Sequence, residues 1–152
     1  MSIPFTVERS ITIKAPAKEV YCYIADFKNW PSWSPWLTQE PDCPVEITGT
    51  PEAIGHTQSW DGKKIGSGHI ELTDLIKSQQ LVYDLHFLKP WKSHSTAGFK
   101  FQETHGTTEV TWYMQGTLPS MMFLMKKKVS DMVGADYEKG LAMLKQTIES
   151  NS

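Results

Sequence analysis

The sequence has only two cysteines, no run of apolar residues approaching the length of a membrane-spanning helix, and none of the short motifs that announce a reaction. Each absence removes a class. Cys22 and Cys43 lack a metal-site or CxxC spacing, and two cysteines cannot build a disulfide framework, so a reducing, cytoplasmic compartment is expected. Cys22 falls inside a helical apolar pattern and is read as inert core. The N-terminal "MSIPFTVERS" holds no apolar stretch of signal-peptide length, and no stable membrane insertion is expected. There is no G-x-S-x-G, no H-E-x-x-H, no glycine loop able to cradle phosphate, and no cysteine paired by motif with histidine. "GSG" at Gly66 to Gly68 is too short for phosphate and reads as a strand entry or bulge.

Charge of one sign is also missing. Fifteen basic and 17 acidic residues leave a formal charge of -2, with no basic half that would recruit nucleic acid. Lys126 to Lys128 form the one charge run, read as a solvated helix face. The five histidines, His56, His69, His86, His94 and His105, are spread over separate strands and a turn. Strand parity sets His69 beside Glu71, and His86 beside Asp84, on the outer polar face. They are read as exposed structural residues, with no convergence and hence no metal; no cofactor is expected.

What is present is a soluble globular composition, 39% hydrophobic and 21% charged over 152 residues, read as a single domain over 1–152. "PFTVERSITIKA" alternates Phe5, Val7, Arg9, Ile11 and Ile13 against polar residues, which is strand periodicity. "APAKEVYCYIADF" then switches to helical spacing through Val20, Ile24 and Phe27, with Pro16 suited to a first turn. From Val45 to Gly116 come six short strands punctuated by turns, among them "DGKK", read as an Asp-Gly hairpin, and "THGTT". Inward faces are Ile70 and Leu72; Leu81, Tyr83, Leu85 and Phe87; Ala97, Phe99 and Phe101; Val110, Trp112 and Met114. After Pro119 one long amphipathic helix follows the apolar series Met122, Val129, Val133, Tyr137, Leu141, Leu144 and Ile148. Gly134 and Gly140 in it cost helix stability and are read as permitting a kink or close contact with the sheet.

Aromatics are the conspicuous surplus. "DFKNWPSWSPW" places Trp30, Trp33 and Trp36 within one proline-broken loop, and each such ring left in water would forgo roughly 2–3 kcal/mol of burial. Either the core, a partner or an apolar ligand must cover them. Trp30 and Trp33 are expected to anchor the loop, and Trp36 to stand at the mouth of a cavity.

"VERSITIKAPAKEVYCYIADFKNWPSWSPW", with "GSGHIEL" and "TTEVTWYMQG", resembles the SRPBCC superfamily, the START-like helix-grip proteins that include the polyketide cyclase/dehydrase-like group. The likeness runs end to end in element order and is strongest in "I-x-A-P-x-x-x-V" followed by "D-F-x-x-W-P-x-W". It implies an α+β fold: a twisted antiparallel sheet of about seven strands wrapped around a long C-terminal helix, with two short helices after the first strand. It also implies a deep hydrophobic tunnel between sheet and helix.

The expected lining of that tunnel is Trp36, Trp60, Tyr83, Leu85, Phe87, Phe99, Phe101, Trp112, Met114, Met125 and Arg9. Trp91 would border its mouth, and Met121, Met122 and Met125 offer flexible thioethers near the start of the helix. Arg9 is the anomaly of its strand face: it marks a bulge or strand end, is buried with an acidic partner, or meets a ligand's carboxylate or phosphate inside the cavity. The Asp84 and His86 pair could move a proton if it faced inward, but is read outward. Three functions stay in play. The first is binding of a small hydrophobic or amphipathic molecule. The second is a cyclase or dehydratase, which requires an ionisable group of shifted pKa inside the cavity. The third is an interaction module whose apolar surface docks on a partner, a homodimer included.

Overall fold

The structure, a computed structural model, describes residues 2–89, 92–119 and 124–150. Seven strands form one antiparallel sheet: β1 (Ser2–Ile13), β2 (Val45–Thr48), β3 (Thr57–Asp61), β4 (Ser67–Ile76), β5 (Gln80–Lys89), β6 (Ser93–Thr104) and β7 (Thr107–Pro119). The order across the sheet is β1-β7-β6-β5-β4-β3-β2. A meander from β2 to β7 is thus completed by β1 on its far edge. Strands β1 and β4 to β7 alternate apolar and polar residues, so one face of the sheet collects Val7, Leu72, Leu81, Tyr83, Phe99, Val110 and Trp112, all buried, while the polar set faces outward. Thr73 sits in a bulge, where the β4–β5 register shifts between Leu72 and Asp74. That shift lets the strand bend without losing its inward face.

Two short helices follow β1. Helix α1 (Ala17–Ile24) begins after Pro16. Its first free amide, Ala17 N–H, donates at 2.7 Å to Glu103 Oε1, at the far end of β6. The cap is therefore supplied across the fold rather than by a neighbouring residue. Asp26 opens a 3₁₀ helix, Phe27–Ser32, by accepting from Lys28 N–H at 3.0 Å. Pro31 lies inside this helix, whose short repeat tolerates a residue that cannot donate.

The C-terminal helix α2 runs from Lys126 to Ser150. The expected start near Pro119 is corrected: Pro119 still belongs to β7, because it pairs across to Ser2. Met121 and Met122 lie outside the described residues. α2 crosses the concave face beside β1 and is tied to it at its end, where Lys145 Nζ donates to Thr12 O at 2.6 Å and Lys14 N–H to Glu149 Oε2 at 2.9 Å. Its two glycines face the sheet. A Cβ at Gly140 would stand 2.8 Å from Pro35 Cδ and 3.0 Å from the Trp112 ring, and a Cβ at Gly134 would collide with the Arg9 guanidinium. Here glycine admits close contact between helix and sheet. The "DGKK" turn is wider than a two-residue hairpin: Gly62 N–H donates to Gly66 O at 2.9 Å. Among the described residues, no helix is long and apolar enough to cross a membrane.

Candidate functional site

The proline-broken loop after α1 delivers its rings to the sheet's concave face. Trp30 and Trp33 are 3% and 0% exposed. Trp30 Nε1–H donates at 2.8 Å to Ile24 O, the last carbonyl of α1, so the ring is locked by a hydrogen bond as well as by burial. Trp33 packs edge-on against Phe99 at 5.9 Å and Trp112 at 5.3 Å between centroids. Trp112 in turn lies flat on Tyr137 of α2, at 3.7 Å. Trp36, half-buried, meets Trp112 at 5.7 Å and Tyr137 at 6.1 Å from the side. One aromatic array thus joins loop, sheet and helix.

The array fills most of the space where a deep tunnel was expected. An inner hollow lined by Trp30, Trp36, Gln58, Trp60, Trp112 and Tyr137, among others, keeps only ≈ 30 Å³, room for about two water molecules. A larger groove of ≈ 200 Å³ lies between the first half of α2 and the sheet. Phe5, Met114, Val129 and Val133 form its apolar walls, and Ser93, Ser95 and Asp136 add polar groups. Trp36, Ile65 and Phe87 line both spaces. They form the partition between them.

The expected lining residues separate into three groups. Trp36, Trp60, Leu85, Phe87 and Trp112 border the inner hollow. Trp36, Phe87 and Met114 border the groove. Tyr83, Phe99 and Phe101 are buried but border neither, because Trp30 and Phe27 lie over Tyr83 and Trp33 over Phe99. Met125 is corrected: it precedes α2, is 44% exposed and lines neither space. Arg9, the single arginine of the sequence, is likewise absent from both linings. Its chain passes along Gly134, Nη1 donates to Glu8 O at 2.8 Å, and Nε stands 3.8 Å from Glu138 Oε1 on α2. The buried pair that was one of its expected roles is not what forms: Glu138 is an acidic partner, but the side chains are 37% and 66% exposed. Trp91 lies outside the described residues.

Asp136 was missed by the sequence reading. Burial pushes its carboxyl above the ordinary 3.8, and the neighbouring Trp36 indole N–H and Lys139 offset this only in part. An acid held toward its neutral form at the edge of an apolar groove can accept or deliver a proton, or meet a cation. The signal was available: position 136 lies three beyond Val133 and four before Gly140, on the helix face turned to the sheet. Gln58 was missed too. It lines the inner hollow, and its amide Nε2 is buried without a protein partner, as is the Tyr83 hydroxyl.

The loop that bears Ile65 is held by Glu40, whose carboxylate accepts from the backbone N–H groups of Lys63, Lys64 and Ile65 at 2.9, 2.7 and 3.2 Å. These bonds hold its pKa below the ordinary 4.5. They also link the end of the tryptophan loop to the partition.

The histidine reading needs two corrections. His56 is buried, its Nε2 accepting from Phe27 N–H at 3.1 Å and its Nδ1 lying 3.0 Å from Thr48 O, so it fastens the 3₁₀ helix to β2. Parity did set His69 and His86 on the outer face, but cross-strand register brings His94 alongside them. Parity along one strand carries no information about which residues of the next strand stand opposite.

Comparison with known proteins places this geometry. Residues 4–149 match the family described as polyketide cyclase/dehydrase and lipid transport. The di-domain aromatase/cyclase StfQ from the steffimycin biosynthetic pathway superposes with a TM-score of 0.76 at 14% identity, over 98% of this chain and 52% of StfQ, so the present chain spans about half of that protein. The Zhui aromatase/cyclase from Streptomyces sp. R1128 gives 0.74 at 15% identity over 97% and 94% of the two chains. Protein MLL2253 from Mesorhizobium loti gives 0.74 at 14% over 97% and 99%. Comparison with curated protein sequences finds no match. At such identities the superpositions establish the helix-grip fold, and the family match over nearly the whole length establishes the rest: the chain belongs to the polyketide cyclase/dehydrase and lipid transport family.

Proposed function

We propose that this protein binds a small hydrophobic or amphipathic molecule in the groove between α2 and the concave face of the sheet. The observation that carries the reading is that the apolar groove and the inner hollow share one set of wall residues, Trp36, Ile65 and Phe87. The groove's ≈ 200 Å³ is below the roughly 300–1,000 Å³ of ordinary ligand pockets. A larger ligand therefore enters by displacing the Trp36 ring, which merges the two spaces and brings the ligand within reach of the unpaired Gln58 amide. Titration with an apolar fluorescent probe, followed by tryptophan emission, tests this: saturable binding is expected, altered by Trp36→Ala. Absence of saturable binding in both forms defeats the reading. Native mass spectrometry of freshly purified protein would give the mass, and so the chemical class, of a retained ligand.

A second reading, a cyclase or dehydratase acting in the same groove, is favoured by Asp136. Its raised pKa suits a general base or acid, and the similar StfQ and Zhui proteins are described as aromatase/cyclases. Turnover of a linear polyketone thioester that Asp136→Asn abolishes, with probe binding retained, would establish it. Binding without turnover leaves a carrier. Self-association is a further part of the proposal, supported by the Aha1 protein from Colwellia psychrerythraea, described as a dimer and superposing with a TM-score of 0.68 at 16% identity over 95% and 96% of the two chains. Twice the chain mass in the native spectrum is the expected outcome.

A further inference from the structure

The outer face of the sheet, opposite the groove lining by strand parity, carries a second constellation. His69, His86 and His94 occupy directly opposed positions on β4, β5 and β6. Their rings form a continuous stack, His69 on His86 at 4.7 Å with an interplanar angle of 22°, and His86 on His94 at 4.3 Å and 8°. One step along β5 on the same face stands Asp84, whose Oδ1 is 3.4 Å from His94 Nε2. Nitrogen or oxygen atoms of Asp84, His86 and His94 all lie within 4.8 Å of one another.

We propose that Asp84, His86 and His94 form a binding site for a divalent transition-metal ion of the zinc class, supported by His69. Two imidazoles and a carboxylate are the donor set that such ions take, with water in the remaining position, and no thiolate is needed. Around a tetrahedral ion with bonds near 2.1 Å, donor atoms sit about 3.4 Å apart. Closing the present spacing to that value turns the His86 and His94 rings out of their parallel stack so that their in-plane lone pairs converge, a movement open to them because His94 and Asp84 are 57% and 42% exposed at the side chain. His86 is the central ring, stacked between His69 and His94. Hard cations fit the site poorly, because they prefer all-oxygen ligands in larger number. The site lies directly behind the groove: Leu85, between Asp84 and His86, lines the inner hollow, and Ser93 and Ser95, flanking His94, line the groove. A bound ion would clip β5 to β6 at that point.

The test uses the full chain without a polyhistidine tag, stripped with chelator and titrated with Zn²⁺ by calorimetry. One ion per chain is expected, with a dissociation constant in the micromolar range or below, undisturbed by excess Mg²⁺ or Ca²⁺. His86→Ala and His94→Ala should each weaken binding by about tenfold or more, His69→Ala by less, and His105→Asn, in the distant β6–β7 turn, not at all. A readout independent of substitution uses the unaltered chain: substoichiometric Co²⁺ should broaden the imidazole proton signals of His86 and His94 while those of His105 stay sharp. No saturable heat up to about 100 µM Zn²⁺, affinity unchanged in the His86→Ala/His94→Ala double variant, or uniform broadening of every histidine would each overturn the proposal.

Discussion

Trp30 and Trp36 are the same residue type a few positions apart, and the structure gives them different work. Trp30 is enclosed by Phe27, Trp33, Tyr83 and Phe99 and anchored through its indole N–H, so Trp30→Ala leaves a cavity and should cost about 3–5 kcal/mol. Trp36 stands half-buried in the partition between hollow and groove, where solvent already reaches one side, so its removal should lower the melting temperature less. Thermal melts of the two variants check the order, and the reverse order would contradict the division. At Asp136 stability and function pull apart. Its folded pKa is raised above the ordinary 3.8, so the folded state holds this proton more tightly than the unfolded chain does, and stability is lost as pH rises from 3.8 through the folded value. Asp136→Asn removes that loss. The variant should melt higher than the native protein at pH 7 and equally at pH 3, where both side chains are neutral, while losing whatever proton transfer or cation recognition the carboxylate provides.

At the scale of elements, α2 shows how sequence-level cost and tertiary gain are balanced. A glycine inside a helix is worth roughly 1 kcal/mol less than alanine, and by propensity alone Gly140→Ala should stabilise. The space says otherwise, because the new methyl would press on Pro35 and the Trp112 ring at 2.8 and 3.0 Å, and both are held in the packed array. Gly140→Ala is therefore expected to lower the denaturant midpoint, and an exposed control on the same helix, Gln146→Ala, to leave it unchanged or slightly higher. The same element was read with its start misplaced. Apolar spacing continues through Met122 and Met125 without a break, yet Met125 is exposed ahead of the helix, and β7 extends to Pro119 because β1 offers it a partner over its whole length. Strand pairing with a residue a hundred positions away competes with local helical periodicity, and only the paired geometry records the outcome.

Acid response belongs to the whole molecule, since it sums groups on opposite sides of the fold. Glu40 joins the tryptophan loop to the β3–β4 connection, and Glu149 joins α2 to the end of β1. Their pKa values are lowered, for Glu40 by the backbone N–H donors and for Glu149 chiefly by its hydrogen bond with Lys145. A lowered folded pKa contributes stability that is present above the unfolded value, 4.5 here, and lost as pH falls through the folded one. Asp136 works with the opposite sign. The melting temperature should therefore fall as pH drops below about 4.5, and Glu40→Gln should flatten that fall. A profile that stays level down to pH 3 would show that neither junction matters. Whole-molecule packing also decides how much room a ligand finds, because the aromatic array closes all but ≈ 30 Å³ of the inner space.

By itself, the sequence determined the list of elements and the faces they turn. Alternation through Leu81, Tyr83, Leu85 and Phe87, or through Val110, Trp112 and Met114, obliges a strand to bury those residues together, since a register slip of one would put every one of them in water. Helical spacing in Val133, Tyr137, Leu141, Leu144 and Ile148 does the same for α2. These are local constraints, and local periodicity carries them. What only the tertiary structure decided is which faces and ends meet: Asp136 beside Trp36, Glu103 at the head of α1, His94 in line with His86, Arg9 against Gly134. Those adjacencies come from strand register, sheet twist and the depth at which a helix seats, which depend on contacts between residues distant in the chain. The candidate site is built from such contacts, and for that reason its walls were legible in outline while its one shifted carboxylate was not.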